Sequence, residues 1–130
     1  MTKEEHIRYW VDTANKDWVA IQKIYKARAY LHALFFAHLV LEKLLKAHWV
    51  KDNEGNTPPK IHNLVMLARK TKLLLEDDDL IFLDRMNDVQ LEGRYPDYIK
   101  NVFKIYKRKE TALILEKVDN IRKCLLKNLQ

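Results

Sequence analysis

Apolar residues at Ile7, Val11, Ala14, Trp18, Ile21 and Tyr25 step by four and three, which places them on one face of a helix. The spacing predicts a first helix over about Thr2 to Ala27, and Thr2 followed by Glu5 gives it a capping-box start. A second helix, over about Tyr30 to Lys51, is apolar nearly all round. Leu31, Leu34, Phe35, Leu41 and Leu45 lie on one side, and Ala33, Phe36, Ala37, Val40, Leu44 and Ala47 on another. Such a helix has to be covered on several sides, by its own bundle or by a second subunit as well. The polar run from Asp52 to Pro59 is a loop. Behind it, Ile61, Leu64, Val65 and Ala68 predict a short third helix with His62 at its start. A fourth is expected to start behind Asp77, Asp78 and Asp79 and to run through Leu80, Leu83 and Met86 to a stop near Gly93. The triple Asp looks like a cation site, but the helix dipole and capping already account for acids in that place. The last helix, about Lys109 to Leu129, carries a stripe of Leu115, Val118, Ile121 or Arg122, Leu125 and Leu129. Tyr98 to Arg108 fits no single pattern. The expected fold is all-α, one domain over residues 1–130, an up-and-down helical bundle with a four-helix core plus a short extra helix.

Composition narrows the alternatives. Two glycines and three prolines are too few turn-formers for a sandwich or barrel. The single cysteine, Cys124, excludes an internal disulfide and a thiolate zinc cage, so any metal would fall to His and carboxylates. His38 and Glu42 are neighbours on the second helix, but as ligands they need a third donor, and His62 is the nearest in type. Their ordinary role is a hydrogen-bonded pair in a half-buried seam. No metal and no cofactor is expected. The window from Ala29 to Val50 is long enough to cross a bilayer, yet His32, His38, Glu42, Lys43, Lys46 and His48 interrupt it, so no membrane association is expected. The first residues lack a basic patch followed by an apolar stretch, and the expected location is cytoplasmic.

Charge is distributed unevenly. Residues 1–97 hold fifteen basic and fifteen acidic side chains, whereas residues 98–130 hold nine basic and three acidic, so the whole net charge of +6 sits in the last quarter. Within it, Lys100, Lys104, Lys107, Arg108 and Lys109 interleave with Tyr98, Phe103 and Tyr106. That mix suits a single-stranded nucleic acid, with cations for the backbone and rings for stacked bases. If the stretch is helical, Ile99, Phe103 and Tyr106 share a face toward the core, and the cations are a solvated face.

Three further pieces occur in order: Glu42-Lys43-Leu44-Leu45-Lys46-Ala47 on the apolar helix, His62-Asn63-Leu64 after a Pro-bearing loop, and Arg94-Tyr95-Pro96-Asp97. Together they resemble the HEPN family (higher eukaryotes and prokaryotes nucleotide-binding), over about residues 5 to 128. Ile61 stands where many relatives have Thr or Ser before the His. The resemblance implies a homodimer that holds a nucleotide or RNA, paired in some relatives with a small nucleotidyltransferase of the toxin–antitoxin kind. It also implies an expected dimer surface that includes part of the second helix and the turn near Arg94. Candidate binding residues are then Arg94, Tyr95, Asp97, His62, Lys43 and Lys46, with Lys100, Lys104, Lys107 and Arg108 from the basic stretch. Arg94 can clamp a phosphate bidentately or pin the turn by pairing with Asp97 or Asp88. Lys43 and Lys46 share a strip with His32 that can face a phosphate. His62 can donate to a nucleotide or satisfy a carbonyl of a neighbouring helix end.

The ribonucleases of that family resemble one another in an Arg followed, after four to six residues, by a His. Here no His follows His62, and Arg28 precedes His32 by too short a gap. Cleavage of RNA needs an acid/base group beside the 2′-hydroxyl and the leaving oxygen, so no catalytic residue is assigned. The expected function is a non-catalytic nucleotide- or RNA-binding module. Its alternatives are a ribonuclease with an atypical site built on His62, Tyr95 or Tyr98 beside Arg94, and a purely structural dimerisation domain.

Overall fold

The computed structural model describes residues 1–94 and 106–130. Over them the chain forms five helices and no strand: α1 (Lys3–Lys26), α2 (Tyr30–Asp52), α3 (Leu64–Arg69), α4 (Asp77–Arg94) and α5 (Arg108–Lys127). Four are long and one is short, which is the expected bundle with its extra helix. Among the described residues no helix is long and apolar enough to cross a membrane.

Local chemistry sets the ends of α1. The Thr2 hydroxyl accepts from the Glu5 amide at 3.1 Å, and Glu4 and Glu5 complement the dipole of the first turn. At the other end Ala29 N–H donates to the Ile24 carbonyl (3.2 Å) and Arg28 N–H to the Tyr25 carbonyl (2.9 Å). These two bonds form a Schellman stop, whose turning residue is left-handed and usually glycine. Here it is Arg28, at φ 63°.

The centre of the molecule is α2. Ala33, Leu34, Ala37, Val40, Leu41, Leu44, Leu45 and Ala47 are fully buried, and α1, α3, α4 and α5 all pack on this one helix. Most of its apolar surface is therefore covered within one chain, while Phe35, Phe36 and Leu39 stay partly exposed. Lys3 Nζ donates to the carbonyls of Val50 (2.6 Å), Asn53 (2.7 Å) and Gly55 (3.2 Å), so the first turn of α1 satisfies acceptors left open where α2 ends.

Two boundaries differ from the sequence expectation. The third helix starts at Leu64, not Ile61, because the Asn63 side chain caps it by accepting from the Met66 amide at 3.0 Å. His62 therefore stands just before the helix, and the cap that Ile61 cannot supply comes from Asn63. Asp77, Asp78 and Asp79 form the first turn of α4 instead of preceding it. On α5 the ambiguous stripe position goes to Ile121, which is in the core with Val118 and Leu125, while the Arg122 guanidinium lies 4.7 Å from the Trp18 ring centroid.

Candidate functional site

A seam of polar side chains runs through the apolar packing of α2. Its middle is Glu42, 5% exposed, whose two carboxylate oxygens serve different partners. Lys46 Nζ donates to Oε2 at 3.1 Å, and His62 Nδ1 lies 3.1 Å from Oε1. With Nδ1–H given to the carboxylate, the lone pair of a neutral His62 ring is on Nε2. The His62 side chain is half exposed, so the seam reaches solvent there. Lys46 is itself 7% exposed, and its ammonium also stands over the Trp10 ring, 5.5 Å from the centroid.

One turn earlier, His38 is fully buried. Its Nδ1 is 3.8 Å from Glu42 Oε1, beyond hydrogen-bond reach, and neither ring nitrogen makes a well-formed hydrogen bond among the described residues. Burial pushes its pKa down to about 4, outweighing the pull of the Glu42 carboxylate and of Asn87. Asn87 on α4 accepts from the Leu64 amide through Oδ1 at 2.9 Å, holding the start of α3 against α4, while its Nδ2 is buried and unpaired. His48 is buried farther along α2, where Nε2–H donates to the Leu125 carbonyl of α5 at 2.8 Å. Burial lowers its pKa, against the effect of that bond.

The structure thus brings His62, Lys46, Glu42 and His38 into one seam, more deeply buried than the half-buried pair expected. Lys43 is turned away from it: its ammonium pairs with Asp17 of α1 at 2.6 Å. Both lysines of the strip thought to face a phosphate are therefore engaged by carboxylates. Among the described residues no group of three or more His, Cys, Asp or Glu side chains converges closely enough to hold a metal ion. Arg94 ends α4, and its side chain, with Tyr95, Asp97, Lys100 and Lys104, lies outside the described residues. So does most of the stretch from Tyr98 to Arg108. Of its cations, Lys107 is the N-cap residue of α5 and makes no side-chain capping bond, and Arg108 is the first residue of that helix. Both are exposed.

Sequence reasoning missed Trp10, Asp17 and Asn87. Trp10 shares the face of Ile7 and Ala14 by spacing and was legible in principle. Asp17 and Asn87 had no local signal, since their partners lie 26 and 23 residues away in sequence.

Comparison with protein families finds a match to the HEPN domain model over residues 7–129. Comparison with curated proteins finds no match. Among solved structures, the crystal structure of TT1696 from Thermus thermophilus is similar with a TM-score of 0.80. The two share 19% identity over 95% of this chain and 98% of that one, a likeness of fold.

Proposed function

The chain belongs to the HEPN domain family, and from that premise we propose that it is a non-catalytic module that binds a nucleotide or RNA. The observation that carries this reading is the charge excess confined to residues 98–130. Where the structure describes that region, Lys107, Arg108 and Lys109 stand exposed at the start of α5, and none forms an ion pair with a described carboxylate. A helix start disfavours cations, so local stability does not account for three of them in a row. An anionic ligand does. Arg94 and the lysines at 100 and 104 are the further cations proposed to contact the ligand. His62 contributes where the Glu42 seam meets solvent. In this reading the protein works as a homodimer, with a nucleotidyltransferase-type protein as partner.

The test is a titration of labelled single-stranded RNA and of ATP at several salt concentrations, with wild type and a Lys104→Gln, Lys107→Gln, Arg108→Gln variant. Losing three phosphate contacts should lower the slope of log K against log salt by about two for a single strand. The fold should be unaffected, since exposed charges matter by roughly half a kcal/mol or less each. No binding by wild type, or an unchanged slope in a normally helical variant, overturns the proposal. Light scattering at micromolar concentration checks the homodimer, and a monomeric mass removes it.

A further inference from the structure

A cleft of about 170 Å³ opens at the end of the bundle where α1 passes into α2, and its lining is Tyr25, Lys26, Arg28, Tyr30 and Arg108. Three cations reach it from three places: the last turn of α1, the turn itself and the first residue of α5. Among the described residues the lining holds no carboxylate, and none of the three cations pairs with a described acid. The two tyrosine rings form the rest of the wall, 5.6 Å apart and tilted by 56°. Tyr25 ties α1 to the start of α5 by donating its hydroxyl to the Arg108 carbonyl at 3.2 Å.

Two of these cations, Arg28 by its backbone and Arg108 by its charge, sit there against local preference. Lys26 and Arg28 suit a helix C-terminus, but Arg28 occupies a left-handed position at φ 63° that glycine fills without strain. Arg108 opens a helix, where the dipole opposes a positive charge. Like charges converging on one small cleft also repel one another. Where local rules are broken together at one spot, and no described residue compensates, a ligand is the economical explanation.

We propose that this cleft binds the phosphate group of a nucleotide, free or within a single RNA strand. Arg28 and Arg108 supply charge-assisted donors, Lys26 a point charge, and the tyrosine rings a surface on which the base stacks. The proposal rests on the nucleotide- or RNA-binding reading above and adds to it a defined pocket on the α1–α2 turn, which shares Arg108 with the basic stretch that leads into α5.

Arg28→Gly is the decisive variant, because it removes the charge and relieves the backbone together. Affinity for ATP, adenosine and a 12-nucleotide RNA is measured by calorimetry or anisotropy, alongside the melting temperature. Arg28→Gly should melt about 3–5 °C higher and bind its phosphate-bearing ligand about tenfold more weakly. Lys26→Gln should weaken binding in the same direction, and for RNA each change should flatten the salt slope by about 0.7. Adenosine should not bind. A preference for ATP assigns the cleft to a free nucleotide, and a preference for the 12-mer assigns it to a strand. If wild type binds and both variants bind equally well, the cleft is wrong while the functional reading stands. If wild type binds neither phosphate-bearing probe, both fall.

Discussion

Replacing Glu42 by Ala tests whether the polar seam is held together by its one carboxylate. The substitution leaves the Lys46 ammonium, 7% exposed, over the Trp10 ring and without its carboxylate. It also releases His62 from its 3.1 Å contact. Removing one partner of a buried ion pair costs about 3–5 kcal/mol, and the Trp10 contact, already present in the wild type, offers no new offset, so about 3 kcal/mol or more is expected. Against a total stability of about 5–15 kcal/mol, that is a large fraction. Urea unfolding followed by tryptophan fluorescence and circular dichroism should show the midpoint fall by about 1–2 M with an unchanged slope. The pair Glu42→Leu, Lys46→Met removes both charges and should return to within about 1 kcal/mol of wild type, because a buried pair and its apolar replacement are nearly equivalent. An Ala variant within about 0.5 kcal/mol of wild type, or a double variant as unstable as the single one, would refute the claim that the seam is an electrostatically coupled unit.

Acid should destabilise the protein through His38. Its pKa lies at about 4 in the folded chain and 6.5 ordinarily, so below pH 6.5 the unfolded chain takes up the proton that the folded chain refuses. Stability falls by about 3 kcal/mol as pH drops from 6.5 to 4, and this group contributes no further change below that. His48 acts with the same sign. Urea midpoints at pH 7 and pH 4.5 measure the fall, and His38→Gln should flatten it; an equal fall in that variant removes His38 as the cause. No cleavage of single-stranded RNA above background is expected from purified protein, and cleavage that disappears in Arg94→Ala would show the module to be an enzyme.

The bundle was legible because its signals are local. The four-and-three step of α1, the Thr2 cap and the stripe of α5 each depend on residues within two turns of one another. Boundaries failed where a competing cap intervened, as Asn63 did at the start of α3. The seam was half legible. His38 and Glu42 follow from helical spacing, but Lys46 is grouped by sequence with Lys43 and His32, and the approach of His62 across 20 residues depends on how the loop after α2 returns to that helix. An apolar surface all round α2 told of burial without telling by what, and its cover turned out to be four helices of the same chain. The cationic cleft had no sequence signature, because its parts come from residues 25 to 30 and from Arg108, joined only by the fold.

That every other helix leans on α2 also shapes how the protein opens. The exposed end turns of the outer helices can fray and exchange their amide protons while the rest of the bundle stays packed. The amides of Leu41, Leu44 and Leu45 have no such partial route, since exposing them means parting α2 from its neighbours. Their exchange should be the slowest in the chain and should report the free energy of complete unfolding, which makes this single helix an internal gauge of global stability.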